Sequence, residues 1–138
     1  MRIMAIDYGD AHTGIAVSDA TGSLAGFTTV IDAYRPEAVA DRIAALAQEH
    51  GAEELVLGHP INMDGTRGPR SEKAHAMKAL LEERVSLPVV LWDERRTTID
   101  AHQILFNSGK NAKKRKKLVD AVAASLILEG YLTFKKSH

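Results

Sequence analysis

The chain has no cysteine, which excludes disulfides and thiolate-bound metal and fits a reducing compartment. No apolar run approaches the roughly 18 residues of a membrane span. Met1-Arg2 leads directly into the first predicted strand without the apolar core of a signal peptide. A cytoplasmic protein with no membrane partner is expected. Net charge is also lacking, since 18 basic residues balance 18 acidic ones, so global charge does not decide on a nucleic-acid partner. The six histidines, His12, His50, His59, His75, His102 and His138, show no paired spacing of metal ligands. No repeat, low-complexity segment or linker divides the 138 residues. One domain spanning residues 1–138 is predicted, long enough for a real core.

What is present begins with Ile3-Met4-Ala5-Ile6. Four apolar residues are too few for a helix and suit a strand buried on both faces, in the middle of a sheet. The strand ends on Asp7-Tyr8-Gly9. In open α/β sheets ligands bind beyond the carboxyl ends of the strands, so Asp7 stands either at a site for a metal or phosphate or simply at the opening of a turn. Gly14 to Asp19 and Ala25 to Ile31 read as two further strands, and their short links predict antiparallel pairing. Pro36 opens a helix carrying Val39, Ile43 and Leu46, which Gly51 closes. Leu55-Val56-Leu57 is a fourth strand. Pro69 opens a second helix with Ala74, Met77, Leu80 and Leu81 on one face. Pro88 to Trp92 is a fifth strand, a helix is predicted over about 98–106, and a last one over about 116–132. The class is α/β, a mixed sheet covered by helices.

Three carboxylates draw attention. Asp7 and Glu94 each follow an apolar strand and converge on one sheet edge if those strands are parallel. Asp120 is the sole charge between Leu118 and Leu128. Leu118, Val122 and Leu128 point to different sides, so that helix is expected to be covered over most of its surface. A buried carboxylate there needs a partner, a hydrogen bond or a cation; a salt bridge to Arg115 is the structural alternative. Three converging carboxylates repel one another unless cations are present, and hard oxygen donors suit Mg²⁺ or Mn²⁺. Two such ions about 3.5–4 Å apart can stabilise the attacking and leaving oxygens of a phosphodiester displacement. From Gly109 to Leu118 there are six basic residues and no acidic one. Lys113, Lys114, Arg115, Lys116 and Lys117 are therefore candidates to hold a nucleic-acid backbone; the alternative is a solvated loop.

Four segments, DYGDAHTGIAVSD (Asp7 to Asp19), GHPINMDGTRGPRS (Gly58 to Ser71), DERRTT (Asp93 to Thr98) and VDAVAASLILEGYL (Val119 to Leu132), resemble the YqgF family over nearly the whole chain. That family consists of RNase H-like proteins described as Holliday junction resolvase-like and as the pre-16S ribosomal RNA nuclease. The resemblance implies an RNase H-like five-stranded sheet of order 3-2-1-4-5, flanked by helices. It implies an acidic triad of Asp7, Glu94 and Asp120, both catalytic and metal-holding. It places a glycine-rich loop at Asn62 to Arg70, which makes Arg67 and Arg70 substrate contacts, and makes Arg95 a phosphate contact. The chain departs from the family at His12, where arginine is usual, at His59, where an apolar residue is usual, and at Glu129, where glutamine is usual. Asp93 points away from Glu94 if the strand continues, and is the weaker candidate.

The leading expectation is a metal-dependent nuclease processing the 5′ end of precursor 16S ribosomal RNA. A resolvase of branched DNA uses the same chemistry. A binding module without catalysis is a different class, and the acidic triad argues against it. A sugar-kinase or actin-like ATPase shares the early topology but needs two such domains around its nucleotide. Monomer and homodimer both stay open.

Overall fold

The computed structural model describes residues 1–22, 25–59, 68–93 and 112–137, without the side chains of Ala25, residues 112–120 and residues 136–137. The elements are β1 (Ile3–Asp7), β2 (His12–Ser18), β3 (Ala25–Asp32), α1 (Pro36–His50), β4 (Glu54–His59), α2 (Pro69–Arg84), β5 (Val89–Asp93) and α3 (Ala112–Ser137). The helix predicted over 98–106 lies outside the described residues.

The strands form one sheet of order β3-β2-β1-β4-β5. β1 to β3 are antiparallel, as their short links require. β4 pairs parallel with β1, and β5 parallel with β4. β1 is the middle strand, and Met4, Ala5 and Ile6 have no exposed surface. Its alternation feeds two cores. Met4 and Ile6 join Ile15, Leu55 and Leu57 beneath α1 and α2. Ile3 and Ala5 join Ala16 and Val56 beneath α3.

Helix α1 starts with Pro36 in its first turn and stops at Gly51, whose φ of 66° lets its N–H reach the carbonyls of Ala47 and Gln48. It buries Val39, Ala40, Ile43, Leu46 and Ala47. Helix α2 opens at Pro69 and buries Ser71, Ala74, Met77 and Leu81, while Leu80 sits on the flank and is only partly covered.

Two expectations change. β2 starts at His12, two residues before the expected Gly14, because His12 still pairs with Asp32 of β3. Helix α3 starts at Ala112, so the basic run Lys113–Lys117 is helical rather than a loop. Alanine, lysine and arginine are strong helix formers, and nothing between Ala112 and Lys116 interrupts the turn. From Ala121 to Leu128 no described side chain of α3 is exposed, in keeping with the expected cover over most of that span, and exposure begins at Glu129. Ala123, Ala124, Ile127, Leu128, Tyr131 and Leu132 are buried, whereas Glu129 is exposed and Ala121, Val122, Ser125 and Leu126 are half-buried. The small residues Ala123 and Ala124 let this face approach the sheet closely.

The far end of α3 is locked over β4. Glu54 is buried and accepts hydrogen bonds from the Tyr131 hydroxyl and from Lys135 Nζ at 3.0 Å. Trp92 packs edge-on to Tyr131, and its ring lies against the Cα of Gly130, where a Cβ would stand 3.5 Å from the indole.

Burial, then the Glu54 hydrogen bond, raises the Tyr131 phenol above its ordinary range. The unfolded chain releases this proton near pH 10 and the folded chain does not, so the contribution is present below pH about 10 and is lost as pH rises beyond it. Tyr131→Phe should cost about 1 kcal/mol at neutral pH. It should also lose part of the alkaline fall in stability seen in the parent. Urea unfolding across that range checks this, and parallel pH curves for the two proteins would refute it.

Candidate active site

Asp7 closes β1 at the carboxyl edge of the sheet and is half-buried. It has the same strand parity as Ile3 and Ala5, which places it on the face covered by α3. Its cross-strand partner in β2 is Gly14. On the other side, β4 carries Gly58 one residue past Leu57, the partner of Ile6. Gly58 shares the parity of Val56 and so the same face. Neither neighbouring strand therefore places a side chain beside Asp7 at this level. The carboxylate stands in a notch between two glycines, with Trp92 beyond Gly58 in the next strand.

His12 lies on the same face, diagonal to Asp7 across the β1–β2 pair. Such diagonal neighbours are about 7–8 Å apart. Its Nδ1 is 2.6 Å from Asp32 Oδ1 on the facing strand, so the ring is held by a carboxylate and is not a loose surface group. The sequence offers no sign of this partner, because it comes from strand register. The turn between Asp7 and His12 depends on Gly9. A Cβ there would collide with the carbonyl oxygen of His12.

Tyr8 has the opposite parity and packs against the core beneath α1 and α2, and burial, then the Asp10 charge, raises its phenol. Asp10 meets Lys73 of α2 at 2.7 Å. At the end of β4, His59 is buried, with Nε2 2.6 Å from the Ser71 hydroxyl and its ring edge-on to His75 at 4.8 Å. His59 is thus a polar tie between the sheet edge and the first turn of α2. It is level with Asp93, which has the parity of Val89 and Leu91 and so lies on the side of α1 and α2, away from Asp7.

Of the residues expected at the site, Asp7 is at the predicted edge, and Arg70 is exposed in the first turn of α2. Glu94, Arg95 and Arg67 lie outside the described residues, as do the side chains of Asp120, Lys113, Lys114, Arg115, Lys116 and Lys117. By helix periodicity position 120 falls on the line of Ala124, Ile127 and Tyr131, the stripe of α3 that faces the sheet. Among the described residues no group of three or more acidic or histidine side chains is close enough to hold a metal ion. No helix among them is long and apolar enough to cross a membrane.

Comparison with known proteins adds four findings. The family described as "RuvX: Holliday junction resolvase" matches residues 1–134. A protein of Halothermothrix orenii named "Putative pre-16S rRNA nuclease" is 42% identical over 135 residues, covering 98% of this chain and 96% of its own. Among solved structures, RuvC of T. thermophilus in complex with a Holliday junction substrate superposes with a TM-score of 0.64 at 14% identity, covering 99% of this chain and 96% of that one. At that identity the likeness shows the fold, which is RNase H-like. A ROK hexokinase of Thermus thermophilus shares the core with a TM-score of 0.51 and 21% identity, but the match spans 75% of this chain and only 38% of that one.

Gly9→Ala should lose roughly 1–3 kcal/mol of stability, because backbone rather than a flexible side chain stands in the way. It should also lower activity by moving His12 relative to Asp7. Denaturant unfolding beside a cleavage assay checks this. Parent-like values in both would show that the turn has room to spare.

Proposed function

Because the chain belongs to the RuvX family, we propose that it is a nuclease that hydrolyses phosphodiester bonds in structured nucleic acid, with the 5′ end of precursor 16S ribosomal RNA as substrate. The observation that carries the reading is the placement of Asp7 in a glycine-flanked notch at the carboxyl edge of the central strand. Glu94 and Asp120 complete the acidic site. Val90 and Trp92 face α3, and Glu94 follows the end of β5 in the sequence. Position 120 falls on the sheet-facing stripe of α3. The support for position 120 comes from helix periodicity, independently of the family, and that for Glu94 from its place directly after an apolar strand.

Asp7, Glu94 and Asp120 would hold Mg²⁺ or Mn²⁺, since the donor set is all carboxylate oxygen. When bound, such ions lower the pKa of water and neutralise charge on the reacting phosphate. The protein's own residues orient and bind. Gly14 and Gly58 leave room beside Asp7 for the scissile phosphate. Asp32 fixes the ring of His12 at the rim. Arg67, Arg70, Arg95 and the run Lys113–Lys117 contact flanking phosphates, which supply sequence-independent affinity. A single domain spanning 1–138 working in the cytoplasm fits this reading. The family description favours one rival substrate, a four-way DNA junction. A kinase-like reading lacks support, because the chain matches only part of the hexokinase.

Asp7→Asn is the decisive variant. It keeps the shape and one carbonyl acceptor but loses the charge that holds a divalent ion. Cleavage of precursor ribosomal RNA and of a four-way junction should both be abolished, with nucleic-acid binding retained. Without metal, the melting temperature should equal or exceed that of the parent, and Mg²⁺ should raise it less. Retained metal-dependent cleavage would end the proposal, and cleavage of the junction alone by the parent would replace the RNA substrate with branched DNA.

Replacing Lys113, Lys114, Arg115, Lys116 and Lys117 with alanine preserves helix propensity. The salt dependence of binding should flatten by roughly 0.7–0.9 in log–log slope for each phosphate that is no longer neutralised. An unchanged slope would show that these residues stay in solvent.

A further inference from the structure

Asp10 and Lys73 form an ion pair at 2.7 Å between residues far apart in sequence, one in the turn that leaves Asp7 and the other in α2. The two side chains are 80% and 53% exposed. An exposed pair of this kind contributes only about 0.2–1 kcal/mol. Helix α2 is held instead by Ala74, Met77 and Leu81. The pair therefore has little to do for the fold. What it does is bring an ammonium group to the turn three residues past the candidate catalytic carboxylate.

Lys73 does not act alone. Its hydrogen bond and charge, with the charge of Arg70 behind them, hold the Asp10 carboxyl below its usual range. Arg70 and Lys73 lie three apart in the first two turns of α2, on neighbouring surface positions. Both are exposed. Two cations thus act on a single carboxylate in the turn that leaves Asp7. A carboxylate and a phosphodiester are both anionic oxygen acceptors, and an ammonium accepts either.

Resting on the nuclease reading above, we propose that Lys73 and Arg70 form a phosphate-binding station for the nucleic-acid strand that leaves Asp7, and that the Asp10 carboxylate occupies it until substrate arrives. Incoming phosphate takes Asp10's place on Lys73. Asp10 is then a competitor built into the chain. It weakens binding of any polyanion that does not place a phosphate at this point, and so favours strands threaded past Asp7. Lys73 thereby joins Arg70 in the substrate-binding set, although its sequence neighbourhood gives no sign of that role.

The test uses the full chain carrying Asp7→Asn, which leaves nucleic acid uncut, with a precursor 16S RNA fragment and a four-way DNA junction as probes over a salt series. Adding Lys73→Ala should weaken binding and reduce the log–log salt slope by roughly 0.7–0.9, the share of a single neutralised phosphate. Adding Asp10→Asn should tighten binding roughly fivefold at low salt, the effect of removing a unit charge about 4 Å from a phosphate in water. That gain should vanish when Lys73→Ala is also present. Melting temperatures should stay near the parent's, since the pair is exposed. A parent-like slope for Lys73→Ala, or unchanged affinity for Asp10→Asn, overturns the station while leaving the nuclease reading intact. If the Asp7→Asn chain binds neither probe, both fall together.

Discussion

The structure depends on one strand being buried on both faces. β1 pairs its backbone with β2 on one side and β4 on the other, and the Ile3 N–H is met by the Ser18 hydroxyl. Its side chains divide between two cores, one beneath α1 and α2 and one beneath α3. A slip of one residue would exchange the two faces and bury Asp7 among apolar groups. The register that fills both cores is therefore the register that holds Asp7 at the edge. Stability and site placement are set by one alignment.

Around that carboxylate the chain uses small residues and fixed partners. Gly14 and Gly58 flank Asp7 without side chains, and Gly9 lets the turn pass beneath the carbonyl of His12. Polar groups near the edge are tied in pairs: His12 to Asp32, His59 to Ser71, Asp10 to Lys73. The buried His59–Ser71 pair ties the end of β4 to the first turn of α2, whereas the exposed Asp10–Lys73 pair adds little to that hold. The opposite end has its own lock in Glu54, Tyr131 and Lys135. That lock fixes one end of α3 over β4, and position 120 lies three turns back along the same stripe.

Charge is distributed to suit an anionic partner without making the whole protein basic. The total is zero, yet cations gather at the start of α2 and along the first turns of α3. Under the proposed nuclease reading, the site's carboxylates would repel a phosphate backbone by themselves, and these cations would offset that repulsion.

Much of this is legible from residue order. The unbroken apolar run Ile3 to Ile6 identifies a strand covered on both faces, because a half-exposed strand would alternate. Short links dictate antiparallel pairing of the first three strands, and Pro36, Gly51 and Pro69 mark helix ends through their backbone constraints. Asp7 stands out because a carboxylate directly after such a strand must lie at the sheet edge. Other features require the tertiary structure. The start of α3 at Ala112 is hidden because a run of like charge reads as a solvated loop, although its helix propensity is high. Which residues of that helix are fully buried and which half-buried depends on which face meets the sheet, which spacing alone leaves open. His12–Asp32 arises from strand register, and His59–Ser71 and Asp10–Lys73 from the seating of α2 against the strand ends. Local sequence decides which elements form and where a carboxylate can emerge, because these follow from the period of apolar residues and the backbone limits of glycine and proline. Which distant polar groups meet is decided only when the sheet closes its register and the helices settle on it.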